Sequence, residues 1–307
     1  MASPIEHVLA VVVTHHPDEG LAQRLAALRG QVGAVLVVDN GSPDFPAIEA
    51  AAHGADCRVI GNTVNLGVAA ALNQTVAVAL AEGFAWLAMF DQDSLVPEGS
   101  IAALVDLHAR HPARETIAVV AMSHRDRATG ADYHRGGDIL EETDGWRTVR
   151  TTITSGSLVR RDALESLGGF DERLFIDGVD HDFCLRCRGA GLLVLEDRHQ
   201  VLEHSLGAIS RRRFLGRSVP LSNHSADRRY YITRNTLELC VRHFGHDAAW
   251  SAREATHLLT SSVVVALLEE GRRAKIGAML QGAWDFARRR FGPRLPGPRA
   301  IGSGGGA

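Results

Sequence analysis

Lysine is almost absent from the sequence. Lys275 is the only lysine among 33 Lys and Arg residues, so arginine supplies nearly all of the positive charge. Two nucleotide-binding motifs are also missing, because the chain contains neither G-x-G-x-x-G nor G-x-x-x-x-G-K-[ST]. Since these loops hold the phosphates of dinucleotides and nucleoside triphosphates, their absence argues against a Rossmann dinucleotide site and against a P-loop.

Cysteine and long apolar runs are scarce as well. The four cysteines Cys57, Cys184, Cys187 and Cys240 include one C-x-x-C pair, but no second pair completes a zinc site. We expect reduced, structural thiols. No stretch reaches the ~18 consecutive apolar residues of a membrane-spanning helix. The N-terminus lacks the basic and apolar regions of a signal peptide. We therefore expect a cytoplasmic chain.

The charges are distributed unevenly along the chain. Residues 207–307 contain 17 Lys and Arg against 7 Asp and Glu, so the excess of acid lies in the first part. An acidic part suits a site that gathers a divalent cation, and a basic part suits phosphate or anionic lipid headgroups. A solvated, arginine-rich surface explains the same asymmetry. We do not expect nucleic-acid binding with so acidic a first part.

Short apolar runs alternate with helix-length segments over the first 91 residues. The runs cover residues 8–14, 33–40, 57–62 and 85–91. Nearly continuous valine, alanine and leucine suit strands that are buried on both faces. Repeated strand–helix–strand units predict an α/β fold with a mostly parallel, doubly wound sheet, in which ligands bind beyond the carboxyl ends of the strands.

Polar residues follow each of these strands. The four exits are Thr14-His15-His16, Asp39-Asn40-Gly41-Ser42, Gly61-Asn62 and Asp91-Gln92-Asp93. Because the carboxyl ends of parallel strands lie at one edge of the sheet, we expect these residues to converge on one crevice.

The fourth exit places two carboxylates one residue apart, in the sequence FDQDS. Asp91 and Asp93 point toward the same edge, since alternate residues of a strand share a face. One can bind a divalent cation while the other orients a ribose or a metal-bound water. Oxygen ligands favour Mg²⁺ or Mn²⁺, which would bridge the phosphates of a diphosphate. In the alternative interpretation, Asp93 caps a helix that begins near Pro97.

Beyond residue 206 the pattern changes to longer amphipathic helices, predicted at about 226–244, 249–271 and 275–291. We divide the chain into an α/β domain (1–215), a C-terminal helical region (216–292) and a disordered tail (293–307).

Seven motifs occur in an order known from one enzyme family. They are VVVTHHP, VVDNGS, NLGVAAALNQ, FDQDS, TSGSLVRR, GGFDERLFIDGVDHDFCLR and RRYYITRN. Over residues 8–240, roughly, the chain resembles the family 2 inverting glycosyltransferases of the GT-A fold. The DQDS form resembles their rhamnosyltransferase branch. The resemblance implies a Rossmann-like GT-A domain with a helical appendage.

The resemblance implies a donor site built from the strand exits. Thr14 and Asp39 would hold the base and ribose of the nucleotide, with the Asp39 carboxylate accepting from a pyrimidine N–H. Asn65 and Gly67 would lie near the ribose or the diphosphate. Asp91 and Gln92 would also contact the donor.

The resemblance also implies a metal site for Mg²⁺ or Mn²⁺. Asp91 and Asp93 match the family's metal motif, with Asp93 as the direct ligand. His204, in LEHSLG, matches a histidine that closes the metal or diphosphate site in several relatives. An ordinary polar role is the alternative for this histidine.

The family's catalytic carboxylate lies in a Glu-Asp-x-Asp-Leu pattern, where this chain has Val179-Asp180-His181-Asp182-Phe183. The glutamate is absent, and we assign Asp180 as the general base. The alternative is that Asp180 is the N-cap of the following helix. We expect Asp182 to cap this helix and to pack toward Arg186, and we also place it among the acceptor-binding residues.

The acceptor side is less distinct. Trp146, His134, Ser155 and Gly156 are candidates to flank an acceptor sugar. Asp171, in GFDE, resembles a family acid that touches acceptor hydroxyls. Turn formation would explain these residues equally well.

In RRYYITRN, Arg229 and Arg234 could clamp the donor diphosphate or a lipid pyrophosphate. Alternatively, the tyrosines of this segment pack the helical region onto the sheet.

The last helices hold the apolar run VVVALL, flanked by Arg272, Arg273, Lys275 and Arg288-Arg289-Arg290. An apolar face with basic borders is typical of a helix in a membrane interface, and we favour peripheral contact with the inner face of the cytoplasmic membrane. Packing against a second subunit in a homo-oligomer explains the same pattern.

These observations predict a metal-dependent inverting glycosyltransferase. The resemblance favours dTDP-L-rhamnose as donor and a bacterial surface polysaccharide or lipid-linked glycan as acceptor. The alternatives are a galactofuranosyl- or hexosyltransferase using a UDP-sugar, and a non-catalytic nucleotide-sugar-binding assembly subunit. A nucleotidyltransferase would need a basic, glycine-rich loop after the first strand, and THHPDEG does not provide one.

Overall fold

The structure is a computed structural model that describes residues 4–126, 130, 132, 134, 137–204, 210–214 and 217–294. The first half contains β1 (Val8–Thr14), α1 (Leu21–Arg29), β2 (Ala34–Asn40), α2 (Phe45–Gly54), β3 (Arg58–Asn62), α3 (Val68–Glu82), β4 (Trp86–Asp91), α4 (Ser100–Arg110), β5 (Ile117–Asp126), β6 (Ile139–Glu142) and β7 (Trp146–Val149). The second half contains β8 (Ser157–Arg160), α5 (Arg161–Leu167), α6 (Val179–Gly189), β9 (Leu193–His204), β10 (Ser210–Phe214), β11 (Arg217–Leu221), α7 (Ala226–His243), α8 (Ala248–Leu268) and α9 (Arg272–Ala287).

Within the described residues, nine strands form one sheet in the order β3-β2-β1-β4-β8-β5-β9-β7-β6, and β10 and β11 form a separate hairpin. The first four strands pair in parallel, as the alternating pattern predicts. β8 lies antiparallel between β4 and β5, which restores the common direction for β5 and β9. The predicted doubly wound α/β sheet is therefore confirmed, with antiparallel strands in its second half.

The core lies on both faces of the sheet. On one face, Leu9 and Val11 of β1 pack with α3, α5 and α6. On the other, Val8 and Val12 pack with α1, α2 and α4. Because neighbouring residues of a strand point to opposite faces, burial of both sets requires the continuous apolar runs seen in the sequence.

The three C-terminal helices occupy almost the predicted ranges. Their N-terminal ends carry side-chain caps in α7 and α8, where Ser225 accepts from the Arg228 N–H and Asp247 from the Trp250 N–H. Leu239 of α7 and Trp250 of α8 join the same core as Leu9.

The first two residues of the predicted tail, 293 and 294, are part of the described structure. Arg294 donates its N–H to the Tyr231 hydroxyl over 2.7 Å, so it belongs to the packed helical region. Residues 295–307 lie outside the described residues. The division into domains stays a prediction.

The cysteines are free, and all except Cys240 are buried, as expected. Burial raises the pKa of Cys57 to about 11 and that of Cys187 to about 12, so neither thiol is activated. Across the described part of the chain, no helix combines the length and apolar character that crossing a membrane requires.

Candidate active site

Four strand exits meet at one edge of the sheet. In the register of β1 and β2, Thr14 stands opposite Asp39, and in that of β2 and β3, Asp39 stands opposite Gly61. On the other side of β1, Asp91 stands beside Val13. The strand exits thus converge, because parallel strands in register end at the same level.

Thr14 and Asp39 form the floor of this edge, and both side chains are fully buried. Thr14 Oγ1 donates to Asp39 Oδ1 over 3.0 Å. Ser42 donates its N–H to Oδ2 over 2.8 Å and its hydroxyl to Oδ1 over 2.6 Å. Both carboxylate oxygens are enclosed by these contacts, and the predicted contact of Asp39 with the base stays a prediction. Because Asp39 has no exposed surface, its neighbours must shift before it can accept from a pyrimidine N–H.

Asparagine side chains connect the exits of β2 and β3 to α3. Asn65 Oδ1 accepts from Asn40 Nδ2 over 3.0 Å and from the Gly67 N–H over 2.9 Å. Gly67 has φ +89°, and a β-carbon there would lie 2.6 Å from the Phe175 carbonyl oxygen. Only glycine fits this position. Asn65 itself remains exposed at the edge.

The turn after β4 is built on Ser155. Ser155 Oγ accepts from the Asp91 N–H over 3.1 Å and lies 2.7 Å from Ser94 Oγ. Gly156 donates its N–H to the Met89 carbonyl over 2.8 Å. Ser155 and Gly156 are buried, so the prediction that they contact the acceptor is wrong. They hold the half-buried Asp91 and the exposed Asp93 in place.

Gln92 connects this turn to the exit of β1. Its Oε1 accepts from the His15 N–H over 2.7 Å, and its Nε2 donates to the His15 carbonyl over 3.2 Å. These bonds join the turn after β4 to the end of β1, and the predicted contact of Gln92 with the donor stays a prediction. The alternative role of Asp93 as a cap is wrong, because α4 begins at Ser100 with Gly99 at its N-cap.

Asp180 is the second residue of α6. Gly178 occupies the N-cap, so the alternative that Asp180 caps the helix is wrong. The half-buried carboxylate accepts from the His181 N–H over 2.8 Å. Asp180 also lines a small cavity together with Met89, which lies on β4 two residues before Asp91. The predicted base therefore lies near the strand that ends in the predicted metal motif.

Asp91 and Asp93 are the carboxylates that this motif places at the edge. Their oxygens are the donors that Mg²⁺ and Mn²⁺ prefer. His204 ends β9 opposite Asp126, but its side chain lies outside the described residues. Elsewhere, too, the described residues contain no group of three or more His, Cys, Asp or Glu side chains that could hold a metal. A cation held by the two aspartates would need further ligands from the donor diphosphate.

Asp182 is enclosed between α6 and α7. Its oxygens accept from Arg186 Nε over 2.9 Å, Arg242 Nη1 over 2.6 Å and His243 Nε2 over 3.0 Å. Burial alone would raise the pKa of Asp182, but the His243 hydrogen bond and the charges of Arg186 and Arg242 outweigh it and lower the pKa to about 2. The predicted contact with Arg186 is confirmed. The predicted cap and the predicted acceptor contact are wrong.

Asp171 and Trp146 were also predicted to contact the acceptor. Asp171 accepts from the Arg173 N–H over 3.0 Å and forms an ion pair with Arg242 at 2.9 Å. The Trp146 ring packs edge-on against His111 at 4.6 Å, on a strand that lies four places from β4. These contacts explain both side chains as structural, and acceptor binding by them stays a prediction.

His134 contributes to a buried network beneath β7 and β9. Its Nε2 lies 2.7 Å from Glu196 Oε1, and Glu196 also accepts from Arg147 Nε over 2.9 Å and Thr152 Oγ1 over 2.8 Å. Glu196 is fully buried. The sequence did not single it out, because it is one of several polar residues in LEDRHQ and belongs to none of the motifs.

Arg229 and Arg234 do not face the donor edge. Arg229 is buried and donates to Ser222 Oγ over 2.6 Å and to Glu269 Oε1 over 2.8 Å. Arg234 is fully buried and donates to the carbonyls of Leu174 and Gly292. The prediction that they clamp a diphosphate is wrong. The alternative is right in giving this segment a packing role, but Tyr230 and Tyr231 pack against α9 and Phe175 rather than onto the sheet.

Sequence reasoning missed residues that support the site. Asn40 and Ser42 stand in the polar strand exits and could have been assigned from that position. Arg242 gave no signal beyond its spacing of four residues from Glu238, with which it pairs at 3.0 Å.

The comparisons with known proteins agree with this geometry. The profile of "Glycosyl transferase family 2" matches residues 10–168. The dTDP-rhamnosyl transferase RfbF of Shigella flexneri is 31% identical over 76% of this chain and 79% of its own length. An N-acetylglucosaminyl-diphospho-decaprenol L-rhamnosyltransferase of Mycobacterium tuberculosis is 29% identical over 87% of this chain and 95% of its own length.

Solved structures share the fold. GalNAc-T7, crystallised with UDP, GalNAc and Mn²⁺, has a TM-score of 0.54 at 12% identity, covering 92% of this chain and 57% of its own. Staphylococcus aureus TarS 1–349 in complex with UDP-GlcNAc has a TM-score of 0.52 at 14% identity, covering 92% of this chain and 81% of its own. The architecture is that of GT-A glycosyltransferases. By its sequence profile and its relatives, the chain belongs to glycosyl transferase family 2.

Proposed function

We propose that this protein is an inverting glycosyltransferase that moves L-rhamnose from dTDP-L-rhamnose to a hydroxyl of a bacterial surface polysaccharide or lipid-linked glycan. The observation that carries the proposal is the cavity shared by Asp180 and Met89, which sets a carboxylate opposite the strand that ends in Asp91-Gln92-Asp93. The donor is supported by the Shigella relative, whose name specifies a dTDP-rhamnosyl transferase.

The donor nucleotide lies over the floor formed by Thr14 and Asp39. The base is read by Asp39 after the atoms that cover this buried carboxylate have shifted. The ribose and diphosphate lie against Asn65 and Gly67, where the absence of a side chain at Gly67 leaves room at the start of α3.

In the reaction, Asp180 accepts the proton of the acceptor hydroxyl as its oxygen attacks the anomeric carbon. The bond from that carbon to the diphosphate oxygen breaks, and the nucleoside diphosphate leaves from the opposite face. One such displacement inverts the anomeric centre.

The enzyme depends on a divalent cation in this proposal. Asp93 and Asp91 would hold Mg²⁺ or Mn²⁺, with His204 as a third candidate. When bound, the cation would stabilise the negative charge of the leaving diphosphate. The donor set of carboxylates supports a hard cation rather than a zinc ion held by thiolates.

The protein also contacts the membrane surface in this proposal. On α9, the exposed residues Leu280 and Trp284 lie between the exposed arginines Arg273 and Arg288, at spacings that keep all four on one helix face. The Arg288 guanidinium covers the Trp284 ring at 4.5 Å. An apolar centre with basic ends fits an anionic lipid surface. Lys275 is not part of this border, because it is buried against Glu269.

Replacing the proposed base tests the reaction. Asp180→Asn removes the proton acceptor and preserves the size of the side chain, so we expect transfer to fall by about 10²- to 10⁴-fold while donor binding changes little. The test measures the rates of sugar transfer and of donor hydrolysis. The donors are dTDP-rhamnose and UDP-sugars, each with and without Mg²⁺ or Mn²⁺. Donor binding is followed by the thermal shift.

Glu165→Gln is a matched control, because this exposed acid pairs with Arg161 on α5 and lines no part of the cavity. Wild-type turnover by Asp180→Asn would contradict the assignment of the base. Turnover of UDP-sugars without turnover of dTDP-rhamnose would contradict the assignment of the donor.

A further inference from the structure

Loop 173–178 comprises the last two residues of a short 3-10 helix, Glu172–Leu174, and the four residues that join it to α6, and its backbone is strained. Phe175 has φ +67°, Asp177 has φ +63° and Gly178 has φ +82°. Non-glycine residues keep a positive φ only where the surrounding contacts impose it. The segment ends two residues before Asp180, so whatever restrains it also determines where α6 begins.

The side chain of Asn235 supplies one restraint. Its Nδ2 lies 2.9 Å from the Leu174 carbonyl oxygen and 2.8 Å from those of Ile176 and Asp177. Asn235 Oδ1 accepts from Arg234 Nε over 2.9 Å, which directs the amide nitrogen toward the loop. Asn235 is buried, so water does not compete for these carbonyls.

Arg234 supplies the second restraint. Its Nη2 donates to the Leu174 carbonyl over 3.0 Å and to the Arg173 carbonyl over 3.3 Å. Arg234 is fully buried, and no carboxylate in the described part of the chain forms an ion pair with it. Its charge is balanced by carbonyl dipoles and by the rings of Tyr230 and Tyr231, 5.3 and 5.1 Å away. Burying a cation without a counter-ion raises the free energy of the folded state unless other contacts compensate for the loss of hydration.

The same loop contacts the donor side. The Phe175 carbonyl accepts from the Val68 N–H over 2.8 Å, at the first residue of α3. Phe175 also packs against Gly67 and stacks on Tyr231 at 5.2 Å. One loop therefore contacts the segment predicted to bind the diphosphate and leads directly into the helix of the predicted base.

We infer that Arg234 and Asn235 are positioning residues that hold loop 173–178 and thereby set Asp180 relative to the donor segment 65–68. For the roles of Asp180 and Asn65, this rests on the proposed function. The two residues touch neither substrate. They act through the loop, whose position determines where Asp180 and the donor segment 65–68 lie relative to each other.

The test compares buried arginines on one helix. Arg234→Met and Asn235→Ala release the loop carbonyls, whereas Arg229→Met removes a buried arginine of α7 that contacts Ser222 and Glu269 instead. We expect kcat for dTDP-rhamnose hydrolysis to fall about 10- to 100-fold in the first two variants, with a smaller change in KM, because the base is misplaced. Arg229→Met should lower the thermal midpoint comparably and keep kcat within about threefold of wild type.

Hydrogen exchange gives a readout that does not depend on the substrate. The Val68 amide, which donates to Phe175, should exchange faster in Asn235→Ala than in Arg229→Met. Equal kcat and equal Val68 exchange in the two variants would overturn the inference. If the wild-type protein fails to turn over the donor, the proposed function fails, and the Val68 exchange alone then supports or overturns the role of Asn235.

Discussion

At the scale of single residues, Ser155 never meets solvent, yet its hydroxyl holds the turn that carries two carboxylates. It accepts from the Asp91 N–H and bonds to Ser94. Alanine removes both bonds inside a buried region. An unmade buried hydrogen bond costs about 1–3 kcal/mol, because the remaining group was taken out of water and has lost this partner.

Ser155→Ala should therefore lower the free energy of unfolding by about 1–3 kcal/mol and reduce kcat by roughly 10-fold, since Asp91 and Asp93 lose their support. Urea unfolding and steady-state kinetics would measure both. Ser100→Ala is the matched control, because this buried hydroxyl on α4 has no hydrogen-bond partner among the described residues. Unchanged kcat in Ser155→Ala would contradict the positioning role of the hydroxyl.

At the scale of elements, α6 and α7 are joined by charge. Asp182 of α6 forms ion pairs with Arg242 and His243 of α7, and Arg242 also pairs with Glu238. The helix that carries the predicted base is therefore anchored at Asp182 to the helix that restrains the preceding loop. Removing one member of a buried charged network costs about 3–5 kcal/mol, because its partners stay buried and unpaired.

The stability gained from Asp182 depends on pH. Its pKa is about 2 in the folded protein, against 3.8 ordinarily. A depressed folded pKa gives stability that is present above pH 3.8 and is lost as the pH falls toward 2. The shift corresponds to about 2 kcal/mol.

Asp182→Asn should accordingly lower the free energy of unfolding at pH 7, and its difference from wild type should shrink as the pH falls from 5 toward 3. Urea unfolding at pH 7, 5, 4 and 3 would follow this difference. Asp106→Asn, which loses only an exposed pair with Arg110 on α4, should cost less than about 1 kcal/mol. A difference between Asp182→Asn and wild type that stays constant with pH would show that Asp182 does not titrate as described.

At the scale of the whole molecule, the sequence predicts the half of the fold in which β1 to β4 pair in parallel with one another. Residues 8–14 and 85–91 read as strands because burial on both faces leaves continuous apolar runs. The insertion of β8 between β4 and β5 was not predicted. It depends on pairs such as Met89 with Ser157, which no local pattern encodes.

The site divides in the same way. The strand exits were identified because parallel topology brings them together, whatever their neighbours. Arg234 and Asp182 were misassigned because the sequence records the type of a side chain and not its surroundings. A segment of interleaved arginine and tyrosine has the same sequence pattern whether it clamps a phosphate at the surface or supports a buried loop. Only the hydrogen bonds of Arg234 to the carbonyls of loop 173–178 show that the second role applies.

The C-terminal helices cannot be removed without damage to the core. Trp250 is buried in the same cluster as Leu9, and Asp247 pairs with Arg150 of the loop after β7. A truncation before α8 would lose membrane contact and folding together. The contact proposed for α9 is therefore tested by substitution of exposed residues, which leaves the core intact.

Leu280→Glu combined with Trp284→Glu places two charges in the apolar centre of the exposed face of α9. We expect wild-type protein to sediment with vesicles of phosphatidylglycerol and phosphatidylcholine at low salt, to be released at high salt, and to lose binding in the double variant, because the arginines remain but apolar burial is prevented. Leu140→Glu, at an exposed position on the edge strand β6, is the matched control and should bind as wild type does. A dimer in analytical ultracentrifugation that dissociates in the double variant, with no vesicle binding by wild type, would assign this face to a second subunit instead.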